Sequence, residues 1–336
     1  MRRIRHTTLF ILSSILFLFL LLINLAFGSV HIPFKEVFQV IFLHSSDTTA
    51  SSIIWKIRLP RILFASLSGA YLSVGGLLLQ VFFRNPIVGP YVLGISAGAT
   101  LMVGIVMLLG ISIGLLGIHP FYISLAAAFG AFCVTAILVA LSAKVKDIVT
   151  LLVIGLMMGY LCYAVTSILI TFAEKEKVKG FVLWQMGSFS GVVWKEFYIL
   201  LFSALFLSIL LSIIKKPLNA FLLGEEYAKT MGVNIKLLRN LIVIISSILA
   251  GLVTAFAGPV AFIGIAVPHM ARLLFKTSDN GILIPASAIL GADVTVLCDL
   301  VARMLMAPVE LPISAITALF GAPVVIFLLL KRRATI

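Results

Sequence analysis

The sequence predicts an all-α, polytopic membrane protein of about ten transmembrane helices. Three observations carry that prediction. The 336 residues are 62% hydrophobic and only 11% charged, whereas a soluble domain is roughly 45–50% apolar and 25% charged. Mean hydropathy is +1.23. Apolar runs near the length of about 20 residues that spans a bilayer recur along the whole chain. The chain therefore reads as a single transmembrane domain over 1–336, with little left for a soluble one.

The first run follows Arg2, Arg3 and Arg5 and extends over 8–27. It is long for the 7–15-residue core of a signal peptide, so an uncleaved first span is expected. Further spans are expected near 62–82, 92–113, 121–142, 148–172, 196–214, 238–257, 260–276, 283–305 and 312–331. The eighth contains Pro268 and His269. Proline removes a backbone donor, so this span is expected to be short or broken.

The net charge of +13 raises the question of nucleic acid. The basic residues are scattered over loops without an aromatic-interleaved patch, and topology explains them better. With the N-terminus inside, the larger set of Lys and Arg falls on the cytoplasmic side. Both termini and the polar stretch 215–240 are then cytoplasmic. On the outer side, His31–Leu43 is an amphipathic run expected to lie along the surface. Residues 173–195 carry Trp184 and Trp194 as expected interface anchors. Gly69, Ser73 and Gly76, Gly94 and Gly98, Gly155 and Gly159, and Gly251 and Ala255 recur at intervals that let helices approach closely.

Few groups in the spans can do chemistry. Cys133, Cys162 and Cys298 all lie in apolar segments, with no metal-ligand spacing and no disulfide framework. Asp293 and Asp299 are buried ionisable candidates in the ninth span, where charge is costly and usually faces a bundle interior or an aqueous cavity. Asp299 stands four residues before Arg303, so an ion pair on one helix face is expected. Asp293 has no local partner and is the better candidate for an inter-helix or functional contact. His269 is a third, read more readily as a packing residue than a ligand. A proton relay needs more such groups, which counts against a secondary transporter driven by an ion gradient. No GxxxxGK[ST] phosphate loop, Ser/His/Asp set or HExxH pattern occurs. If ATP drives this protein, another polypeptide hydrolyses it.

The long polar interruption 215–240 holds a short helix between Gly224 and Gly232. Glu225 and Glu226 fall in its first turn and Lys229 near its last, an order that suits the helix dipole. It reads as a docking element for a soluble partner. The stretch FFRNPIVGPYVLGISAGA, with Pro86, Gly89 and Pro90, reads either as a stiff turn or as fixed irregular backbone lining a cavity.

Seven motifs in order resemble the FecCD family, the type II ABC importer permeases for iron–siderophore complexes, haem and cobalamin. They are IWKIRLPRIL at 54–63, GGLLLQVFFRNPIVGPYVLGISAGA at 75–99, LWQMGSFSG at 183–191, LGEEYAKTMGV at 223–233, GPVAFIGIAVPHMARLL at 258–274, LGADVTVLCDLVAR at 290–303 and ELPISAITALFGAPVVIFLL at 310–329. Val88-Gly89 departs from the acid or alanine that many relatives carry.

The resemblance implies a permease in the bacterial inner membrane that binds no cofactor itself. It implies a second permease subunit, here a homodimer, and two cytoplasmic ATPases that hold ATP and Mg. An extracytoplasmic binding protein would deliver the substrate. ATPase coupling would fall to Gly224, Glu225, Glu226, Lys229 and Gly232. Binding-protein docking would fall to Arg58, Arg61 and Arg303, although the RLPR arginines read from sequence alone as a snorkelling belt. Thr150, Met157, Met158 and Thr166 on the fifth span are pathway candidates, and the Lys144–Asp147 turn a candidate inner gate. A ferric siderophore or haem is the expected cargo, with cobalamin the alternative.

Overall fold

The computed structural model describes residues 2–28, 30–42, 49–109, 120–142, 144–145 and 148–333. Fourteen α-helices account for the regular structure among them. They are α1 (Arg2–Ala26), α2 (Phe34–Phe42), α3 (Thr49–Ile53), α4 (Leu59–Phe82), α5 (Ile95–Leu108), α6 (Pro120–Ser142), α7 (Ile148–Phe172), α8 (Lys175–Gln185), α9 (Trp194–Leu222), α10 (Glu225–Thr230), α11 (Ile235–Ala257), α12 (Ile263–Phe275), α13 (Asn280–Met304) and α14 (Ile313–Arg333). A π-helical turn, Ile54–Arg58, joins α3 to α4 without a break. Seven helical stretches are long and apolar enough to cross a membrane, and α5, α12 and α14 are shorter apolar helices. Together they occupy all ten expected spans.

Helix α4 is the central column, buried along nearly its whole length. Its small residues explain how that is possible. A Cβ on Gly69 would lie 2.1 Å from the Gly291 carbonyl oxygen of α13, and one on Gly76 1.7 Å from the Gly264 carbonyl oxygen of α12. Only hydrogen fits at either crossing, so the backbones touch directly. Polar side chains then tie α4 to its neighbours. Tyr71 donates to the Leu200 carbonyl of α9 at 2.7 Å. Ser246 of α11 donates to the Gly75 carbonyl at 3.2 Å. Gln80 donates to Ile265 O at 3.1 Å and accepts from Arg272 at 2.6 Å.

The first span is packed into this bundle. Arg5 donates to Leu274 O at 2.7 Å and the Phe10 and Phe275 rings meet at 4.9 Å, fixing α1 against α12. The expected surface run forms α2, which buries Val37 and Val40 and exposes Phe34, Phe38 and Phe42 along one side.

Several boundaries differ from the sequence reading. The third span begins at Ile95, because residues 83–94 form turns whose Val88, Gly89, Pro90 and Leu93 are buried. The stretch is irregular, partly buried backbone built of turns. Gly94 comes against Gly155 and Gly159 of α7. The end expected at 113 lies outside the described residues, as do Lys146 and Asp147 of the candidate gate. The polar stretch 215–240 is also narrower than expected. Helix α9 continues through Pro217 to Leu222, held by Phe221, which stacks on Phe82 at 5.8 Å. The connection is therefore 223–234.

Residues 173–195 do not merely skirt the surface. Helix α8 lies against α5, with Phe181 fully buried beside Gly104. Trp184 is half-buried and stacked on Phe181 at 6.4 Å. Trp194 keeps an outward position and donates to Trp55 O at 2.8 Å. The chain after α8 then joins two other breaks. Ser188 N donates to Ala257 O at 2.9 Å, Ile313 N to Gly187 O at 3.2 Å, and Ser314 Oγ to Pro259 O. Non-helical backbone inside a membrane bundle must be satisfied by protein in this way.

The α4 crossings yield a direct expectation. Gly69→Ala overpacks backbone against backbone and costs about 1–3 kcal/mol or more. Gly104→Ala meets the Phe181 ring at 3.5 Å and Leu108 Cδ1 at 3.7 Å, ordinary contact distances, and is tolerated. Thermal unfolding in detergent should show a lowered midpoint for the first variant only.

Candidate functional site

Two places gather the sequence's candidate residues, one at each end of the bundle. The first surrounds the start of α4. Arg58, in the π-helical turn, donates to Leu25 O and to Ala26 O (3.1 Å) at the end of α1, and to Val30 O. A cation at a helix C-terminus complements the dipole and satisfies orphan carbonyls. Arg61, one turn on, meets Asp299 Oδ1 through Nη2 at 2.8 Å and Glu310 Oε1 through Nη1 at 2.8 Å. Asp299 also faces Arg303 Nε at 3.3 Å, the expected pair four residues apart. Arg303 Nη2 donates to Asn24 of α1.

This arrangement holds all three arginines within the chain. Arg58, Arg61 and Arg303 are 3%, 6% and 7% exposed, and their guanidinium groups are engaged inside the chain. They do not snorkel as the sequence alone suggested. Buried guanidiniums are costly unless paired, and the two carboxylates and three carbonyls supply the pairing. Three cations against two anions leave the cluster one positive charge in excess. Glu310, its side chain 39% exposed, is its open edge. Sequence reasoning missed Glu310 and Asn24. An asparagine at the end of an otherwise apolar span was the available signal for the second.

The other site is at the opposite end. Helix α10 lies between Gly224 (φ +131°) and Gly232 (φ +82°), backbone conformations that side chains rarely adopt. Lys229 pairs with Glu226 at 2.8 Å and Glu225 at 3.4 Å. The hydrogen bond to Glu226 is the main cause that raises the lysine above its usual range. Ala228 is buried, and Arg84 donates to Phe221 O at 3.1 Å just before the turn. The outward side carries Leu223, Tyr227 and Met231, all more than half exposed. Tyr227 and Met231, four residues apart, form an apolar stripe on α10 with Leu223 just before it, a feature the sequence reading passed over in favour of the charges.

The remaining candidates are spread out. On α7, Thr150 and Met157 are exposed and Met158 half-buried. Thr166 is buried, its hydroxyl donating to Cys162 O at 2.8 Å, so it does not share their outer side. Asp293 is 3% exposed and neither carboxylate oxygen has a hydrogen-bond partner among the described residues. His269 is half-buried on α12. Among the described residues no group of His, Cys, Asp or Glu is placed to hold a metal ion.

A bundle of ten apolar helices with an exposed amphipathic turn at one end and an ionic cluster at the other defines a multi-span membrane protein. The comparisons make the class specific. The chain belongs to the FecCD transport family, whose family model matches residues 16–331, and is an ABC transporter permease. It is 34% identical to the uncharacterised ABC transporter permease YvrB of Bacillus subtilis, over 93% of this chain and 90% of that one. It is 34% identical to the vitamin B12 import permease BtuC of Shigella boydii, over 95% and 94%. A solved metal-chelate type ABC transporter in an inward-facing conformation superposes with a TM-score of 0.84 at 30% identity, covering 97% of this chain and 99% of that one.

The outer cluster sets a testable difference. Asp299→Ala strands two buried guanidiniums and destabilises by about 3–5 kcal/mol. Glu310→Ala removes a half-open contact worth about 1 kcal/mol or less. Denaturant titration in mixed micelles should separate the two.

Proposed function

We propose that this chain is the membrane-spanning subunit of an ATP-driven importer for a bulky metal chelate, with cobalamin the favoured cargo. The observation that carries this reading is the similarity to vitamin B12 permeases over nearly the whole chain. The iron chelates expected from the sequence, a ferric siderophore or haem, remain the second reading. The likeness to a metal-chelate type transporter fits both, since cobalamin is itself a metal chelate.

The chain lies in the inner membrane of a bacterium with both termini in the cytoplasm, as the basic residues require. It hydrolyses nothing and binds no cofactor. A second copy completes the pathway between the exposed sides of α7, where Thr150, Met157 and Met158 are the candidates. Two separate ATPases hold ATP and Mg and dock at α10. There the apolar stripe supplies contact area, and Glu225, Glu226 and Lys229 set register. Glycine at 224 and 232 fixes the angle of the turn, so motion of the ATPase moves α9 and α11 as one piece.

An acidic binding protein meets the other end. Docking through Arg58, Arg61 and Arg303 requires its carboxylates to take the place of Glu310 on Arg61. Charge complementarity of this kind sets orientation and on-rate more than affinity.

Proteoliposomes holding the chain, its ATPase and its binding protein test the cargo. Labelled cobalamin, haem and ferric siderophore are offered in parallel. Accumulation of cobalamin alone is the expected result, and uptake of an iron chelate in its place transfers the assignment to the second reading. Replacing Leu223, Tyr227 and Met231 together by serine should lower ATPase co-purification and uptake at least tenfold without shifting thermal unfolding. Unchanged co-purification removes α10 from the coupling role.

A further inference from the structure

A groove of about 470 Å³ runs between α9 and α13 with α4 as its floor. Its walls are apolar for most of their length: Leu67 and Val74 from α4, Leu207 and Leu211 from α9, Ile284 and Ala288 from α13. Tyr71, Ser208 and Ser212 add hydroxyls along the walls, and charge enters at one end, where Lys215, Asn280 and Gly281 line the groove. Lys215 and the neighbouring Lys216 are exposed. Asn280 is fully buried, and its Oδ1 has no hydrogen-bond partner among the described residues. The one facing carboxylate, Asp279, is already engaged, accepting from Asn219 Nδ2 at 2.7 Å and Gly281 N at 2.8 Å.

Length decides what fits. From Ala204 to Lys215 the α9 wall rises about 16 Å at 1.5 Å per residue. One leaflet of a hydrocarbon core about 30 Å thick is about 15 Å deep. The groove therefore matches a single acyl chain, with its polar mouth at headgroup level. Two lysines there select a negative headgroup. The outward residues of α9 beside the groove, Phe202, Phe206, Ile209 and Ile213, are large, apolar and exposed, as on a surface that faces lipid.

We propose that this groove is a binding site for an anionic phospholipid of the cytoplasmic leaflet, with one acyl chain between α9 and α13 and the phosphate at Lys215. Such a lipid would brace the end of α9 that leads directly into α10. The leaflet assignment rests on the orientation proposed above; the site itself does not depend on the cargo.

The test is lipid retention by the delipidated permease complex, counted by native mass spectrometry after titration with phosphatidylglycerol or phosphatidylcholine. Phosphatidylglycerol should bind about tenfold more tightly. Lys215→Glu should abolish that preference, and Ala204→Phe with Ala288→Phe should abolish retention of both lipids. Lys215→Gln serves if the first variant fails to fold, and should give an intermediate preference. Equal binding of the two lipids, or retention unchanged in every variant, overturns the proposal. So does a disulfide between copies at Leu211→Cys, which would mean a second chain fills the groove. Labelling of Lys216→Cys from outside intact cells would overturn the orientation alone, and loss of ATP-driven uptake with lipid retention intact would overturn the transport reading alone.

Discussion

Everything in this bundle depends on α4 being able to touch its neighbours backbone to backbone. A helix surrounded by α9, α11, α12 and α13 has no room for ordinary side chains at every crossing. Gly69 against Gly291 and Gly76 against Gly264 give the room. In lipid there is no hydrophobic drive to bring helices together, so close packing and interhelical hydrogen bonds must do it. Tyr71, Ser246 and Gln80 supply such bonds on three sides of α4. With the column fixed, its two ends become fixed points. Arg58 and Arg61 anchor one to α1 and α13, and Arg84 anchors the other to the end of α9.

That rigidity explains the placement of the irregular backbone. Residues 83–94, 186–193 and 258–262 all leave helical geometry, and each places some of its residues against another segment. The last two meet each other and the start of α14 through the Ser188–Ala257 and Ile313–Gly187 bonds. Breaks of this kind let half-length helices such as α5 and α12 end inside the bundle, with polar backbone satisfied by protein. They also give a permease elements that move without unfolding a full span.

Much of this was legible in the sequence. The ten apolar segments, the short eighth span and the Asp299–Arg303 pair follow from length, proline and helical spacing. The short helix in the polar connection was legible because glycine, acid and base stand in an order that suits a short helix. What escaped depends on contacts between segments far apart in the chain. Arg58 and Arg61 read as outward charges because nothing local says that Asp299, Glu310 and the end of α1 will receive them. Helix α9 outran its expected end because Phe221 packs on Phe82, and that tertiary contact overrides the local signal of Pro217.

The central claim is that energy enters through α10 from a separate ATPase and reaches the pathway through α9 and α11. The measurement that tests it most directly compares two energy sources on one preparation of proteoliposomes holding the permease and binding protein. ATP supplied on the α10 side should drive accumulation of the chelate only when the ATPase is present, and an imposed proton or sodium gradient should drive none. Accumulation driven by the ion gradient without the ATPase would contradict the account.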